Sequence, residues 1–408
     1  MLNFFGIRPG FLFVPMFAVA YNAILAILNT VGIPVSFAIA ALCELLIISG
    51  AFFLVARTGF KKVDSTFLIS IIAFAVITLY LTILNGKLII DGLRNFLIIA
   101  SFALLGMRMS LNEINKVFVW LTWGVLFFLV LEIIDVRLYV AIFEPGNYFA
   151  KTRGMEVSEF NDLGLFNNAL GFQSRFSFGI FDGPRTSSIF LEQVSLANFA
   201  TILCLYLLTF YKIIPKKQVL LMMLTVFLIV TSSNTRTTSI LVSVLFIGYF
   251  VFPLLPRYSN SFAAVSIVII ALLVYFFNPD AVGDNTAGRI RLSMDHFLTL
   301  GLSDYFGGSA ANLSKLYDSG YAYVIAANTI VGAGIIGYAV LFSIKQRFSF
   351  SKRAAFGLTL YVFVNMLIGG TAIYSMKVSS LLWLFVGFVI ACENRKGEST
   401  NHKTIFKS

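Results

Sequence analysis

The chain consists mainly of long apolar runs separated by short polar segments. Twelve runs predict membrane-spanning helices, since about 20 apolar residues cross the hydrocarbon core of a bilayer, and the short fourth and seventh runs suit tilted or partly re-entrant helices. They cover residues 11–30, 34–56, 65–84, 93–108, 117–140, 188–211, 218–233, 237–255, 260–277, 321–344, 354–371 and 378–392. The pattern predicts an all-α polytopic membrane protein with about 12 transmembrane helices, in which residues 1–408 form a single integral membrane domain.

The composition supports this class. Of 408 residues, 59% are hydrophobic and 12% are charged, whereas soluble domains average about 25% charged residues. Most Lys and Arg residues fall in alternate connections if both termini are placed in the cytoplasm, in accordance with the positive-inside rule. The net charge of +11 therefore indicates orientation in a membrane, and nucleic acid is not an expected partner.

This orientation leaves two long segments on the outer side of the membrane, residues 141–187 and 278–320. The inner connections are short and basic. Long loops in a compact protein usually carry function, so we expect the chemistry on the outer face.

The first candidate motif is GPRTSSIFLEQVS, residues 183–195. Pro184 suits a helix start, and a helix from there would place Arg185 and Glu192 on one face, about 10 Å apart. A charge within the bilayer costs about 2.5–3.5 kcal/mol. One interpretation is a structural ion pair with other helices. The other is a hydrated cavity, open to the outside, in which Arg185 binds an anion.

The second motif is TSSNTRTTS, residues 231–239, at the outer end of two predicted spans. Ser and Thr cap helix ends, so one interpretation is a capped turn with Arg236 reaching to the interface. The alternative is that Arg236 adds a second cation to the same cavity.

The second outer loop contains NTAGRIRLSMDHF, residues 285–297. Arg289 and Arg291 are candidate phosphate ligands, because guanidinium groups bind phosphate oxygens in a bidentate manner. On a helix, His296 would share a face with Arg289, and Asp295 is placed to orient it. A simply solvated histidine is the alternative.

Asp318 precedes the tenth span, where Tyr317, Tyr321 and Tyr323 also lie. Tyrosines at this depth are typical of an interfacial aromatic belt. Aromatic rings beside a carboxylate also describe a sugar-binding surface.

Several other patterns argue against nucleotide and metal chemistry. The GAGIIG stretch at 332–337 lies within an apolar span without a preceding strand, so small residues for helix packing explain it better than a dinucleotide site. No Walker A motif, DxD or HExxH is found in the relevant segments, and the three cysteines lack metal-binding spacing. We expect neither a metal nor a cofactor.

Together, several outer arginines beside a membrane cavity suit a lipid-linked diphosphate, and nearby carboxylates suit activation of a sugar hydroxyl. The stretch GPRTSSIFLEQVSLANFA, residues 183–200, resembles the motif of bacterial O-antigen and exopolysaccharide polymerases (Wzy-like, colanic acid type). Arg185 and Glu192 match that motif, whereas Gln193 replaces its proline. The SNTRTTS turn, the long second loop and the DSGY entry to span ten resemble the family in order, over residues 180–345.

The resemblance implies a GT-C-like fold of the polymerase and ligase type with two large periplasmic loops, 141–187 and 278–320, in the bacterial inner membrane. It implies metal-independent transfer of a growing glycan from undecaprenyl diphosphate to the sugar of another lipid-linked repeat unit. Arg185, Arg289 and Arg236 would bind the donor diphosphate, with Arg291 as the alternative to Arg289. Other implied partners are membrane lipid, a flippase and a chain-length regulator.

The catalytic carboxylate is left open by the sequence. Glu192 would orient Arg185 or activate the acceptor, Asp318 is a second candidate base, and Tyr321 is a candidate sugar contact.

Three other functions compete with the polymerase. An O-antigen ligase would depend on a histidine in the second large loop, for which His296 is the candidate. A lipid-linked oligosaccharide flippase fits twelve spans, but the halves show no obvious repeat and the charges cluster on the outer side. No feature of the sequence indicates a non-catalytic assembly partner.

Overall fold

A computed structural model describes residues 8–156, 161–165, 169, 176–181, 183–281, 283, 285–309 and 313–398. Across these ranges the regular structure consists of helices, with no β-strand, which confirms the predicted all-α class. The α-helices are α1 Pro9–Thr30, α2 Phe37–Arg57, α3 Ser65–Asn85, α4 Asp91–Arg108, α5 Leu111–Ile134, α6 Val136–Phe143, α7 Pro145–Arg153, α8 Gln193–Phe210, α9 Lys216–Ser233, α10 Arg236–Val251, α11 Asn260–Phe277, α12 Thr286–Leu298, α13 Leu302–Gly307, α14 Gly320–Phe342, α15 Ser349–Ile368 and α16 Met376–Glu398.

In the part of the chain that the structure describes, ten helices are long and apolar enough to cross a membrane, which confirms the multi-pass membrane class. They are α1, α2, α3, α5, α8, α9, α10, α11, α14 and α16. The other two predicted spans correspond to α4 and α15, which are 18 and 20 residues long and carry more polar residues. The total of twelve spans stays a prediction.

Ionic contacts gather the ends of several helices at one end of the bundle. Arg8, before α1, contacts Glu113 at the start of α5 at 2.9 Å, and Arg108 at the end of α4 pairs with Asp64, just before α3. At the end of α16, the Glu393 carboxylate accepts the backbone N–H groups that connect α14 to α15. Consecutive long helices therefore alternate in direction, and the starts of α4, α8, α10, α14 and α16 lie at the opposite end, which we call the site end.

The centre of the bundle is built on the contact between α4 and α16. A Cβ atom on Gly387 would lie 1.9 Å from the Ala103 carbonyl oxygen, and one on Gly106 would lie 2.1 Å from the Leu384 oxygen. Only glycine permits the two backbones to approach so closely. The two helices run parallel, so Asp91 and Met376, their first residues, both lie at the site end.

The prediction that a helix starts at Pro184 is wrong. Residues 184–187 have no regular secondary structure, 188–190 form a single 3₁₀ turn, and α8 begins only at Gln193. Ser188 and Leu191 have positive φ angles of 47° and 60°, which interrupt a regular α-helix at this point. The buried Glu132 carboxylate of α5 stabilises this conformation by accepting the backbone N–H groups of residues 187 and 188.

The fifth predicted span, 117–140, also has different bounds. The helix α5 begins at Leu111 and ends at Ile134. Asp135 stops it, because its side chain accepts the N–H groups of Arg137 and Leu138 and so caps the separate helix α6. The first predicted outer segment thus contains α7 and only the end of α6, and the second contains α12 and α13.

Candidate active site

Three predicted arginines line one cavity at the site end, which we call the arginine cavity. Arg185 comes from the irregular segment before α8, Arg236 is the first residue of α10, and Arg289 lies in the first turns of α12. The cavity has a volume of about 260 Å³. Segments far apart in sequence therefore bring three guanidinium groups to one volume.

Arg185 is anchored to the junction of α9 and α10. Its Nε donates to the Ser233 carbonyl oxygen at 2.6 Å, and its Nη2 donates to the Thr235 hydroxyl at 3.1 Å. The Arg236 guanidinium lies over the ring of Phe176, 5.6 Å from its centroid. These contacts fix two cations on the same wall before any ligand binds, which reduces the entropy lost on binding.

Asp318 lies in the same cavity as an ion-pair partner of Arg289, with 3.1 Å between Oδ1 and Nη1. The Asp318 side chain is 61% exposed and the Arg289 side chain is 33% exposed. Exposed pairs of this kind contribute at most about 1 kcal/mol. A phosphate group can therefore compete with Asp318 for this guanidinium at little cost.

The remaining wall favours an anion through its polar groups and helix ends. Gln193 and Thr286, the first residues of α8 and α12, line the cavity beside the start of α10. Helix N-termini carry partial positive charge and unpaired N–H groups, so they favour negative ligands. Deeper in, Asn198 and Asn365 supply amides, and the Asn198 oxygen accepts a hydrogen bond from Tyr361 at 2.8 Å.

A second cavity of about 450 Å³ adjoins the first, and we call it the tyrosine cavity. Both cavities are bordered by Gln193, Val194 and Gly369. The aromatic lining of the tyrosine cavity comes from Tyr317, Tyr323 and Tyr374, and its charged lining from Asp91, Arg94, Arg153 and Glu192.

Glu192 is held by two cations in the tyrosine cavity and is not paired with Arg185. Its Oε2 lies 2.6 Å from the ammonium of Lys377, its Oε1 contacts the guanidinium of Arg153, and Ser195 donates to it at 2.9 Å. Burial alone would raise the pKa of the Glu192 carboxyl, but the charges of Lys377 and Arg153 outweigh burial and hold the pKa well below its usual range. Glu192 is therefore an ionised carboxylate that orients Arg153 and Lys377. The expected role of orienting Arg185 is not seen.

Asp91 and Arg94 lie three residues apart at the start of α4 but do not pair with each other. Arg94 instead pairs with Glu44 of α2, with 2.6 Å between Nη2 and Oε2, and Tyr21 donates to the same carboxylate at 2.5 Å. Arg94 therefore has its carboxylate partner on a neighbouring helix, and this partner leaves Asp91 facing the tyrosine cavity.

Three predicted site residues lie outside both cavities. Arg291 donates to the Asn278 carbonyl oxygen at 2.9 Å, and Tyr321 donates to that of Phe363 at 2.9 Å, so both brace the surrounding helices. His296 lies in the last turn of α12 and lines neither cavity, and Asp295 accepts from Tyr275 at 3.4 Å. The structure thus places Arg289 in the arginine cavity and Arg291 outside it.

Neither Arg153 nor Lys377 was predicted as a site residue. Arg153 ends α7, a short helix within the first outer segment that has no long apolar period. Lys377 is 1% exposed, and its ammonium donates to the Phe190 carbonyl oxygen as well as to Glu192. The position of Lys377 at the start of a long apolar run could have indicated its role, because a charge there requires a buried partner.

Within the described ranges, no three His, Cys, Asp or Glu side chains lie close enough together to hold a metal ion.

Comparisons with known protein families, with curated proteins and with solved structures found no match for this chain. The structure defines a helical, multi-pass membrane protein with a cationic cavity at one end of its bundle. The resemblance to polysaccharide polymerases rests on the sequence motifs alone.

Proposed function

We propose that this protein is a polysaccharide polymerase of the bacterial inner membrane. It transfers a growing glycan from undecaprenyl diphosphate to the sugar of another lipid-linked repeat unit, at the periplasmic face. It is a metal-independent glycosyltransferase that requires no cofactor, since the lipid diphosphate is itself the leaving group.

The observation that carries the proposal is the convergence of Arg185, Arg236 and Arg289 on one cavity at the end of an apolar bundle. A lipid diphosphate carries several negative charges beside a hydrocarbon chain. Guanidinium groups match its oxygens in geometry and charge, and they stabilise the additional charge that develops on the departing diphosphate.

The adjoining tyrosine cavity supports a transfer between two bound glycans. Donor and acceptor must be held next to each other for a sugar hydroxyl to attack the anomeric carbon. The two cavities share a border at Gln193 and Gly369, so a donor in one and an acceptor in the other would lie next to each other.

The test is a gel analysis of lipid-linked and surface glycan from a strain that lacks the gene, with and without the wild-type gene restored. We expect single repeat units to accumulate outside the inner membrane without the protein, and long chains to return with it. Repeat units trapped on the cytoplasmic face would indicate a flippase instead. Long chains that remain on the lipid carrier and do not reach lipid A would indicate a ligase.

The position of His296 favours the polymerase over the ligase. Ligases of the similar type depend on a histidine in the second large loop, and His296 lies outside both cavities. Replacing His296 with Ala should therefore leave the chain-length pattern unchanged. Loss of long chains in that variant would support the ligase.

A further inference from the structure

We propose that the tyrosine cavity binds the acceptor saccharide and that Asp91 is the carboxylate that takes the proton from the attacking sugar hydroxyl. This inference rests on the proposed function and extends it to the location of the acceptor and to a catalytic residue that the sequence motifs do not indicate.

The other carboxylates near the two cavities are already engaged. Glu192 binds Lys377 and Arg153 and accepts from Ser195, so its oxygens serve as an electrostatic anchor. A carboxylate held ionised by two cations is a weak base. Asp318 lies on the arginine cavity and pairs with Arg289.

Asp91 differs from these groups. It is the first residue of α4 and lines the tyrosine cavity, and no donor within the described ranges hydrogen bonds to its carboxylate. Asp91 shares the lining of this cavity with Tyr317 and Tyr323, and burial followed by the negative charge of Asp91 raises the pKa of the Tyr317 hydroxyl. Asp91 is thus an accessible carboxylate inside the cavity that can accept a proton.

The rest of the cavity has the composition of a saccharide site. The ring centroids of Tyr317 and Tyr323 are 5.8 Å apart, and those of Tyr323 and Tyr374 are 6.1 Å apart, so they form a continuous aromatic surface. Such rings present an apolar face and a polar tip, which matches a sugar with C–H faces and equatorial hydroxyls. Ser195 and Ser375 add polar groups to the lining.

The acceptor hydroxyl oxygen forms a bond to the anomeric carbon of the donor sugar, and its proton passes to Asp91. The bond between that carbon and the diphosphate oxygen breaks, and undecaprenyl diphosphate leaves with the electron pair in the arginine cavity. Asp91 releases the proton to water before the next cycle.

The test compares Asp91→Asn, Asp91→Glu and the exposed control Asp280→Asn with the wild type. The purified proteins receive the lipid-linked glycan that accumulates in the deletion strain, and polymerisation is followed against pH. Binding of undecaprenyl diphosphate is measured in parallel. We expect Asp91→Asn to lose about 100-fold or more of the rate, to lose the acid limb of the pH profile, and to keep its affinity for undecaprenyl diphosphate. Asp91→Glu should recover part of the rate, and Asp280→Asn should match the wild type.

Each result separates the inference from the proposed function. If the wild type polymerises and Asp91→Asn does so equally well, Asp91 is not the base and the proposed function stands. If Asp91→Asn also fails to bind undecaprenyl diphosphate, Asp91 has a structural role and the inference is wrong. If the wild type neither polymerises nor binds undecaprenyl diphosphate, the proposed function fails together with the inference.

Discussion

At the scale of single residues, Arg185 and Arg291 form a natural pair of variants. Both are arginines of the outer segments, but Arg185 lines the arginine cavity whereas Arg291 binds the Asn278 carbonyl outside it. We expect Arg185→Ala to abolish long polymer, since loss of one charge-stabilising donor costs about 100-fold to 1,000-fold in rate. Gel analysis of glycan from complemented cells would measure this.

Arg291→Ala is the matched control and should give normal chain lengths at an equal level of inserted protein. Equal loss of polymer in both variants would contradict a specific role for Arg185 in the arginine cavity.

A second prediction concerns the buried charges around Glu192. Replacing Glu192 with Gln leaves Lys377 buried without its carboxylate, and breaking a buried ion pair costs about 3–5 kcal/mol. We expect a lower thermal midpoint for Glu192→Gln in detergent at pH 7. Lys377→Met combined with Glu192→Gln should recover part of the loss, and no recovery in the double variant would contradict this coupling.

The contribution of the Glu192 carboxylate to stability depends on pH. Because the pKa of Glu192 is lower in the folded protein than in the unfolded chain, its contribution to stability is fully present above the ordinary carboxyl pKa of about 4.3 and is lost as pH falls through the lower folded value. The thermal midpoint difference between wild type and Glu192→Gln should therefore persist from about pH 7 down to pH 5, and should shrink only under strongly acidic conditions. A difference that disappears by pH 5 would contradict the lowered pKa.

At the scale of elements, the contact between α4 and α16 determines how the site end is assembled. Gly387→Ala would place a methyl group 1.9 Å from the Ala103 carbonyl oxygen, so the helices must separate. Overpacking of this kind costs about 1–3 kcal/mol or more. We expect a lower thermal midpoint and reduced polymerisation, because Asp91 and Lys377 lie at the starts of these two helices.

Gly124→Ala in α5 is the matched control, because a Cβ atom there meets no neighbour within 4 Å. It should be neutral or slightly stabilising, since alanine favours helix more than glycine does. Destabilisation of similar size in both variants would argue against the close contact.

Most helices could be predicted from apolar periodicity, and 260–277 agrees to the residue. The start of α8 could not be predicted from this periodicity. The segment before it has Ser188 and Leu191 at positive φ, which neither residue favours locally, and its N–H groups depend on Glu132 from another helix. Tertiary contacts therefore override the local pattern at the motif that the sequence marks most strongly.

At the scale of the whole molecule, the arginine cavity was partly predictable. Three of the four proposed arginines line it, because loops on one side of a membrane meet at one end of the bundle. The ion pairs around the adjoining tyrosine cavity were not predictable. Arg94 binds Glu44, and Glu192 binds Arg153, in each case across a large separation in sequence. Spacing along one helix contains no information on such partners.

The proposed orientation can be tested with exposed positions at opposite ends of the bundle. Asp280 follows α11, and Lys217 lies near the start of α9. In a background without Cys43, Cys204 and Cys392, an impermeant maleimide applied to spheroplasts should label Asp280→Cys and leave Lys217→Cys unlabelled. The reverse pattern would place the arginine cavity in the cytoplasm.

The central claim is that the arginine cavity binds a lipid diphosphate, and direct binding of undecaprenyl diphosphate to the purified protein tests it best. We predict binding by the wild type that weakens with added salt, weakens strongly in Arg185→Ala, and is unchanged in Arg291→Ala. Absence of binding, or equal binding by the wild type and Arg185→Ala, would contradict it.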